Sequence, residues 1–207
     1  MDVNAGVDVN AGVDAARSAH LGIDPDLDAA DALPEDVVDV IVEIPAGCRN
    51  KYEYDHERHV IRLDRRLSTA TTYPTDYGFV PDTLALDGDP LDALVILEDP
   101  TFPGCLVRVR VIGLFQMRDE AGPDTKLLTV LEHDPARADT RDVSELPRHL
   151  LEEISHFFSV YKELEPGKGT QTVGFAGREA ALEELRASRA RFRAQRSHVA
   201  SGPAPDR

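Results

Sequence analysis

Three carboxylates fall within six positions in Asp87-Gly88-Asp89-Pro90-Leu91-Asp92. Gly88 lets the backbone turn tightly, and Pro90 fixes φ and removes a donor. Asp87 and Asp89 are two apart and share a face in an extended segment, and Asp92 can swing back toward the same point. Like charges held this close resist ionisation unless a cation lies between them. Hard oxygen donors at this density suit Mg²⁺, Mn²⁺ or Ca²⁺. The same residue types also build an ordinary solvated turn, and the hexad alone does not separate the two readings.

Further carboxylates stand where strands meet turns: Glu43, Glu53, Asp119 and Asp124. Basic and phenolic groups are interleaved with them: Lys51, Arg65, Tyr77, Lys126, Tyr161 and Lys162. Acids alone would suggest metal binding. Acids mixed with Lys, Arg and Tyr suggest metals bridging to an anionic, oxygen-rich ligand, and a phosphate compound meets that description. No Walker loop, nucleophile elbow or kinase signature is present, so a nucleotide-dependent scheme lacks its phosphate cradle. A calcium loop of the EF-hand type, counted from Asp87, would need glycine where Asp92 stands, and the strand context opposes it. His56 and His59 form a His-x-x-His pair without the further ligands of a closed metal site.

The elements that must carry these side chains read as strands first and helices after. Val37 to Ile44 is rich in β-branched residues and runs into Pro45-Ala46-Gly47, a strand into a turn. Lys51-Tyr52-Glu53-Tyr54 alternates, with Lys51 and Glu53 on one face. His59 to Leu63 reads as another strand. Tyr73 to Pro81, punctuated by proline, reads as an irregular or edge strand. Ala93 to Leu97 suits a buried strand. Leu106 to Phe115 alternates valines with Arg108 and Arg110 as a half-exposed strand, and Leu127 to Leu131 is a further one. From Leu150 the apolar residues take helical spacing, with Pro147 in the first turn and Pro166-Gly167 as the stop. A second helix spans about Arg178 to Arg196, its arginines, like Arg141-Asp142, reading as solvated. The fold class is α+β: a small closed or partly open (OB-like) β-barrel of about five strands with two packed C-terminal helices.

The chain of 207 residues carries a net charge of −15. That balance excludes nucleic acid as a partner, because a phosphate backbone needs a basic footprint. It leaves room for a small phosphate ligand in a local basic pocket. Cys48 and Cys105 are too few for a disulfide framework and lack metal-ligand spacing. No apolar run approaches the ~20 residues of a membrane span, and no secretory leader is evident, so a soluble cytoplasmic protein is expected. Residues 1–36 repeat Asp-Val-Asn-Ala-Gly-Val in tandem and hold nine acids against one base with no aromatic residue. Such a segment cannot bury enough apolar surface to order itself, and disorder is expected. Residues 37–196 then form one catalytic domain, and 197–207 a flexible tail.

Taken together, these segments resemble the soluble family I inorganic pyrophosphatases of bacterial type. The resemblance rests on the acidic hexad; on Val42-Glu43-Ile44-Pro45 with Arg49-Asn50-Lys51-Tyr52-Glu53; on Leu63-Asp64-Arg65; on Tyr73-Pro74-Thr75-Asp76-Tyr77-Gly78-Phe79; on Asp119-Glu120 with Asp124-Thr125-Lys126; and on His156-Phe157-Phe158 with Tyr161-Lys162. It runs in order from about Val37 to Phe192. It implies hydrolysis of pyrophosphate to two orthophosphates with several Mg²⁺ ions per site, Mn²⁺ being a substitute. It places metals on Asp87, Asp92 and Asp124, with Asp119 serving metals that arrive with substrate and Glu43 and Glu53 as outer acids. Asp89 becomes the leading base for the attacking water, with Asp124 its rival. Lys51, Arg65, Tyr77, Lys126, Tyr161 and Lys162 become phosphate contacts, and a homohexamer is implied. The alternative is a non-catalytic relative that binds divalent metal and phosphate. The chain departs from the family at Ala46 and Cys48, and in having no tryptophan after Lys168.

Overall fold

The computed structural model of the chain describes residues 33–200, with side chains as far as His198. Eight strands form: Val37–Ile44 (β1), Asn50–Asp55 (β2), Val60–Arg66 (β3), Asp76–Phe79 (β4), Asp92–Ile96 (β5), Leu106–Asp119 (β6), Gly122–Leu131 (β7) and Gln171–Gly177 (β8). Among the described residues there are two α-helices, Arg148–Val160 (α1) before β8 and Arg178–Ala200 (α2) after it, with short 3₁₀ turns at Pro135–Arg137 and Val143–Glu145.

β1, β4, β5, β7 and β6 pair in that order, and β6 pairs back to β1, closing a five-stranded ring. β5 and β7 run parallel, and the other pairs in the ring are antiparallel. The fourteen-residue β6 is long enough to pair with β1 over its first half and with β8 over its second. β2 and β3 form a separate hairpin. This is the expected α+β barrel with two helices.

Both faces of the barrel wall are covered. Leu94 and Ile96 of β5 pack with Phe157 and Phe158 of α1, whereas Ala93 and Val95 pack with Ala181, Leu182 and Leu185 of α2. That is why Ala93 to Leu97 reads as an unbroken apolar run rather than an alternating one.

The structure differs from the sequence reading at several points. β4 lies between β1 and β5 and is not an edge strand. Its prolines, Pro74 and Pro81, fall just outside the paired residues, where they remove no ladder bond. Close approach to β1 requires glycine at Gly78, where a Cβ would sit 2.0 Å from the Ile41 carbonyl oxygen. Arg110 is buried; its guanidinium donates to the carbonyl oxygens of Arg137 and Thr140, so this strand end is not half-exposed. α1 ends at Val160, before Pro166-Gly167, and turns fill the gap. β8 was not expected, because Gly174 and the exposed Val173 mask its period.

α2 continues to Ala200, so residues 197–200 are helical, not tail; residues 201–207 lie outside the described residues. Of the acidic segment 1–36, residues 1–32 also lie outside them. Glu35 and Asp36 are tied down: Glu35 pairs with Arg186, and Asp36 pairs with Arg178 at 2.9 Å.

Candidate active site

Lys126 on β7 lies opposite Asp92 on β5 in the parallel register. Its Nζ is 2.7 Å from Asp92 Oδ2 and 2.7 Å from Asp124 Oδ1. Asp124 and Lys126 are two apart on one strand, so both project from the same face. Tyr77 on β4 donates its hydroxyl to Asp92 and lies 3.3 Å from Lys126 Nζ. Lys126 is only 2% exposed. Burial alone would lower the ammonium pKa, but the Asp92 and Asp124 carboxylates hold it above the ordinary lysine value. The Tyr77 phenol is pushed well up by burial and by the Asp92 charge, so it stays a neutral donor.

Asp92 also borders an open cleft of about 260 Å³ whose other polar lining includes Glu43, Lys51, Glu53, Asp87 and Asp89. Each arrives by a different route. Glu43 comes from β1, and Lys51 and Glu53 from one face of β2. Asp87 and Asp89 come from a loop that Gly88 turns with a φ of +97°, in the left-handed region. Asp87 Oδ1 accepts the Asp89 N–H at 3.1 Å.

Burial raises the Glu43 carboxyl to about 7, outweighing the 2.6 Å bond it accepts from Tyr54 N–H, and Asp92 adds to the rise. Asp89 is also raised, first by burial and then by Asp87, Asp92 and Glu53. Asp124 is raised by burial and by Asp92, against the pull of Lys126. Lys51 pairs with Glu53, which also receives Arg62 at 3.2 Å.

A second ammonium–carboxylate group adjoins this one. Lys162 Nζ is 2.7 Å from Asp119 Oδ2, and hydrogen bonds from Lys162 and from Ala121 N–H take the Asp119 carboxyl below its ordinary value in spite of burial. Tyr161 caps the C-terminus of α1 and packs on Phe157 and Phe158. Its phenol is raised by burial and then by the charges of Asp124 and Asp119, so it stays a neutral donor. Arg65 is held elsewhere: Glu165 takes its Nε at 3.1 Å and Asp64 its Nη1 at 2.6 Å.

Two features of the site were not legible. His56 lines the cleft, with its ring edge-on to Tyr54 at 5.0 Å and to Phe79 at 5.3 Å. The His-x-x-His spacing with His59 singled it out but gave no hint of the cleft, which it reaches from just beyond the end of β2. Glu165 and Glu120 hold Arg65 and Lys162 from sequence positions that only the fold brings near.

Among the described residues, no three acidic, histidine or cysteine side chains are already gathered around a common metal position. The donor set nonetheless suits a hard cation. It is all oxygen, and its acids are short of compensating donors, so Asp89 and Glu43 are pushed toward their neutral forms.

Fold and site define a small closed β-barrel whose cleft opposes carboxylates with ammonium groups, an arrangement suited to a phosphate ligand. The inorganic pyrophosphatase family model matches residues 40–193. The inorganic pyrophosphatase of Streptomyces coelicolor is 58% identical over 160 residues, covering 77% of this chain and 98% of the relative. That of Methanosarcina acetivorans is 50% identical over 162 residues, covering 78% and 96%. The crystal structure of the Thermus thermophilus inorganic pyrophosphatase matches with a TM-score of 0.76 at 47% identity, covering 79% of this chain and 95% of that one. The chain belongs to the inorganic pyrophosphatase family and is an enzyme of that class.

Proposed function

We propose that the chain hydrolyses inorganic pyrophosphate to two orthophosphates at this cleft, with Mg²⁺ as its cofactor and Mn²⁺ as a substitute. The observation that carries the reading is the buried Lys126, fixed between Asp92 and Asp124 beside a cleft of further carboxylates. A phosphoanhydride such as pyrophosphate needs cationic donors, and the cations that bring it need oxygen donors; this site supplies both. Asp87, Asp92 and Asp124 would hold Mg²⁺, with Asp119 serving metals that arrive with substrate and Glu43 and Glu53 as outer acids. When bound, Mg²⁺ draws charge from phosphoryl oxygens and makes water more acidic.

The chain's own residues do the rest. Lys51, Lys126 and Lys162 present ammonium groups, and Tyr77 and Tyr161 present neutral hydroxyls, to phosphate oxygens whose charge shifts during transfer. Arg65 joins them by exchanging Glu165 for phosphate. A water oxygen bonds to one phosphorus, the bridging P–O bond breaks, and the water's proton passes to Asp89. Asp89 is preferred over Asp124 because Asp124 already holds Lys126 at 2.7 Å, whereas Asp89 is in no ion pair among the described residues. Burial and its acidic neighbours raise its pKa, as they do that of Asp124, which suits either to accept a proton, so the absence of an ion pair decides between them.

Membership of the family supports a cytoplasmic homohexamer that binds neither nucleic acid nor membrane. Among the described residues, no helix is long and apolar enough to cross a membrane.

The test is phosphate release from pyrophosphate with Mg²⁺ and then with chelator, ATP serving as a parallel substrate. Fast Mg²⁺-dependent release from pyrophosphate, with little from ATP, is expected. No release from folded, metal-supplied protein would leave a metal- and phosphate-binding relative without catalysis.

A further inference from the structure

The acidic loop is held from outside the barrel by the arginine-rich helix α2. The loop closes on itself first. Val80 N–H donates to Leu91 O at 2.9 Å, and Ala85 N–H to Asp89 O at 2.7 Å. The buried Thr83 hydroxyl crosses between, donating to Val80 O at 2.6 Å and accepting Leu91 N–H at 2.8 Å. Leu84, at the base of the tip that carries Asp87 and Asp89, has no partner within the loop for either backbone group. Both are taken by α2: Leu84 N–H donates to Ser188 O at 3.1 Å, and Leu84 O accepts Arg191 Nε–H at 2.7 Å.

Arg191 is itself fixed. Its Nη2 donates to Glu184 Oε1 at 2.5 Å and to Ser188 Oγ at 2.7 Å, and Ser188 Oγ donates to the same Glu184 oxygen at 3.0 Å. Glu184, Ser188 and Arg191 are four and then three residues apart, one stripe of the helix. Ser188 is fully buried, and Leu182 and Leu185 beside it share a core with Val80 and Leu91 at the loop's two ends. The helix is thus packed against the ends of the loop and hydrogen-bonded to its middle.

We propose that Arg191, braced by Glu184 and Ser188, is a positioning residue for Asp87, so that divalent-cation affinity at the cleft is set partly from α2. The inference rests on the reading of Asp87 as a cation ligand. Arg191 touches neither substrate nor cation; it acts by holding Leu84, and through Leu84 the turn that aims the Asp87 carboxylate.

The experiment compares wild type, Arg191→Ala, Arg191→Lys and Glu184→Gln, with Arg193→Ala on the exposed side of α2 as control. Mn²⁺ alone is titrated into each by calorimetry, and amide exchange is followed at Leu84 and Ala85. Turnover is then measured across Mg²⁺ concentration. Groups that directly support a metal ligand change affinity by about 10–100-fold, so this more distant brace is expected to cost about three- to tenfold. Arg191→Ala and Glu184→Gln should weaken Mn²⁺ by that factor, speed exchange at the two amides and leave kcat at saturating Mg²⁺ near wild type. Arg191→Lys, which keeps a donor for Leu84 O, should fall between. Arg193→Ala should change nothing.

Faster exchange with unchanged Mn²⁺ affinity would overturn the proposal, as would a loss confined to kcat. If Arg191→Ala does not fold, the Lys and Gln variants decide by the same criteria. Failure of wild type itself to bind Mn²⁺ would instead remove the underlying reading of the loop.

Discussion

The acids of the cleft and the acids that tie the barrel to α2 are treated in opposite ways by their surroundings. Asp89 and Glu43 in the cleft and Asp124 beside it are all raised, with burial the leading cause. At the barrel–helix junction, Asp142 is lowered by hydrogen bonds from Arg178 N–H, Ser144 N–H and the Ser144 hydroxyl. The two sets are the same chemistry with different numbers of donors. Asp142 completes a capping box for its own turn and also accepts the first N–H of α2 at 2.8 Å. Asp89 receives no such donor on its carboxylate among the described residues, and its nearest charges are negative. A structural acid is satisfied within the fold. The cleft acids are left to be satisfied by something that binds, and perturbed groups of this kind mark functional sites.

The contrast breaks most visibly at Asp89. Asp89→Asn keeps the size of the side chain and removes the proton acceptor. A loss of about 10²–10⁴ in kcat is expected, in the range of a missing general base, with the melting temperature held or raised. Steady-state rates and thermal melts check this; near-normal turnover would move the base to Asp124. Chelation should abolish turnover in wild type outright and be reversed by added Mg²⁺.

Lys126 tests the other half of the cleft. Lys126→Met leaves the half-buried Asp92 and Asp124 beside each other without their cation, and removing one partner of a buried pair costs up to about 3–5 kcal/mol. Urea unfolding should show that loss in the absence of divalent metal. Added Mg²⁺ should restore part of it, since a cation then stands in for the ammonium. Equal losses with and without Mg²⁺ would argue against cation binding at these two carboxylates.

The same contrast explains what could be read from the sequence. Groups proposed to act through chemistry fall in short, dense stretches, and Asp87 to Asp92, Lys51 with Glu53, and Asp124 with Lys126 stood out by spacing, although the hexad alone also reads as a solvated turn. The resemblance to a family added Tyr77, Tyr161 and Lys162, whose spacing says nothing by itself. The barrel was legible because its strands alternate or run apolar. Residues that act through tertiary contact were not legible. Asp142 and Arg191 look like solvated surface charges, and only the fold brings Asp142 to the start of α2 and Arg191 to Leu84. Arg110 follows the alternation of β6 yet is buried, because the loop carrying Arg137 and Thr140 folds over it and supplies carbonyl acceptors. β8 was lost because a strand held by one neighbour, with glycine in its middle, carries little periodic signal.

Asp142 sharpens the comparison on the structural side with a smaller effect. Asp142→Ala should cost about 1 kcal/mol at neutral pH, the scale of a lost cap. The pH dependence has a definite sign. The folded carboxyl lies below the ordinary value of 3.8, so the folded state binds fewer protons there than the unfolded chain. Its stabilisation is therefore present above that value and fades as pH falls through it. Asp142→Asn should remove this part of the acid limb, whereas wild type retains it. Glu43, raised to about 7, has the reverse sign: in metal-free protein its stabilisation is lost between about pH 4.5 and 7 as pH rises.

The smallest effect is expected at the N-terminal side, where the position of a cut decides the outcome. Asp36 O accepts Val111 N–H at 2.7 Å in the barrel wall, and its carboxylate pairs with Arg178 at 2.9 Å. Glu35 meets Arg186 farther along α2, where both side chains are more than half exposed, so that pair contributes little. Removal of residues 1–32 should leave turnover and melting temperature as they are. Removal of residues 1–36 should lower the melting temperature slightly while sparing turnover at saturating Mg²⁺, because the lost contacts reach α2 at Arg178 and Arg186 and not at Arg191. Equal melting temperatures for the two truncations would show that Asp36 adds nothing to the junction. A fall in turnover from the shorter cut would assign residues 1–32 a part in the reaction that the cleft as described does not need.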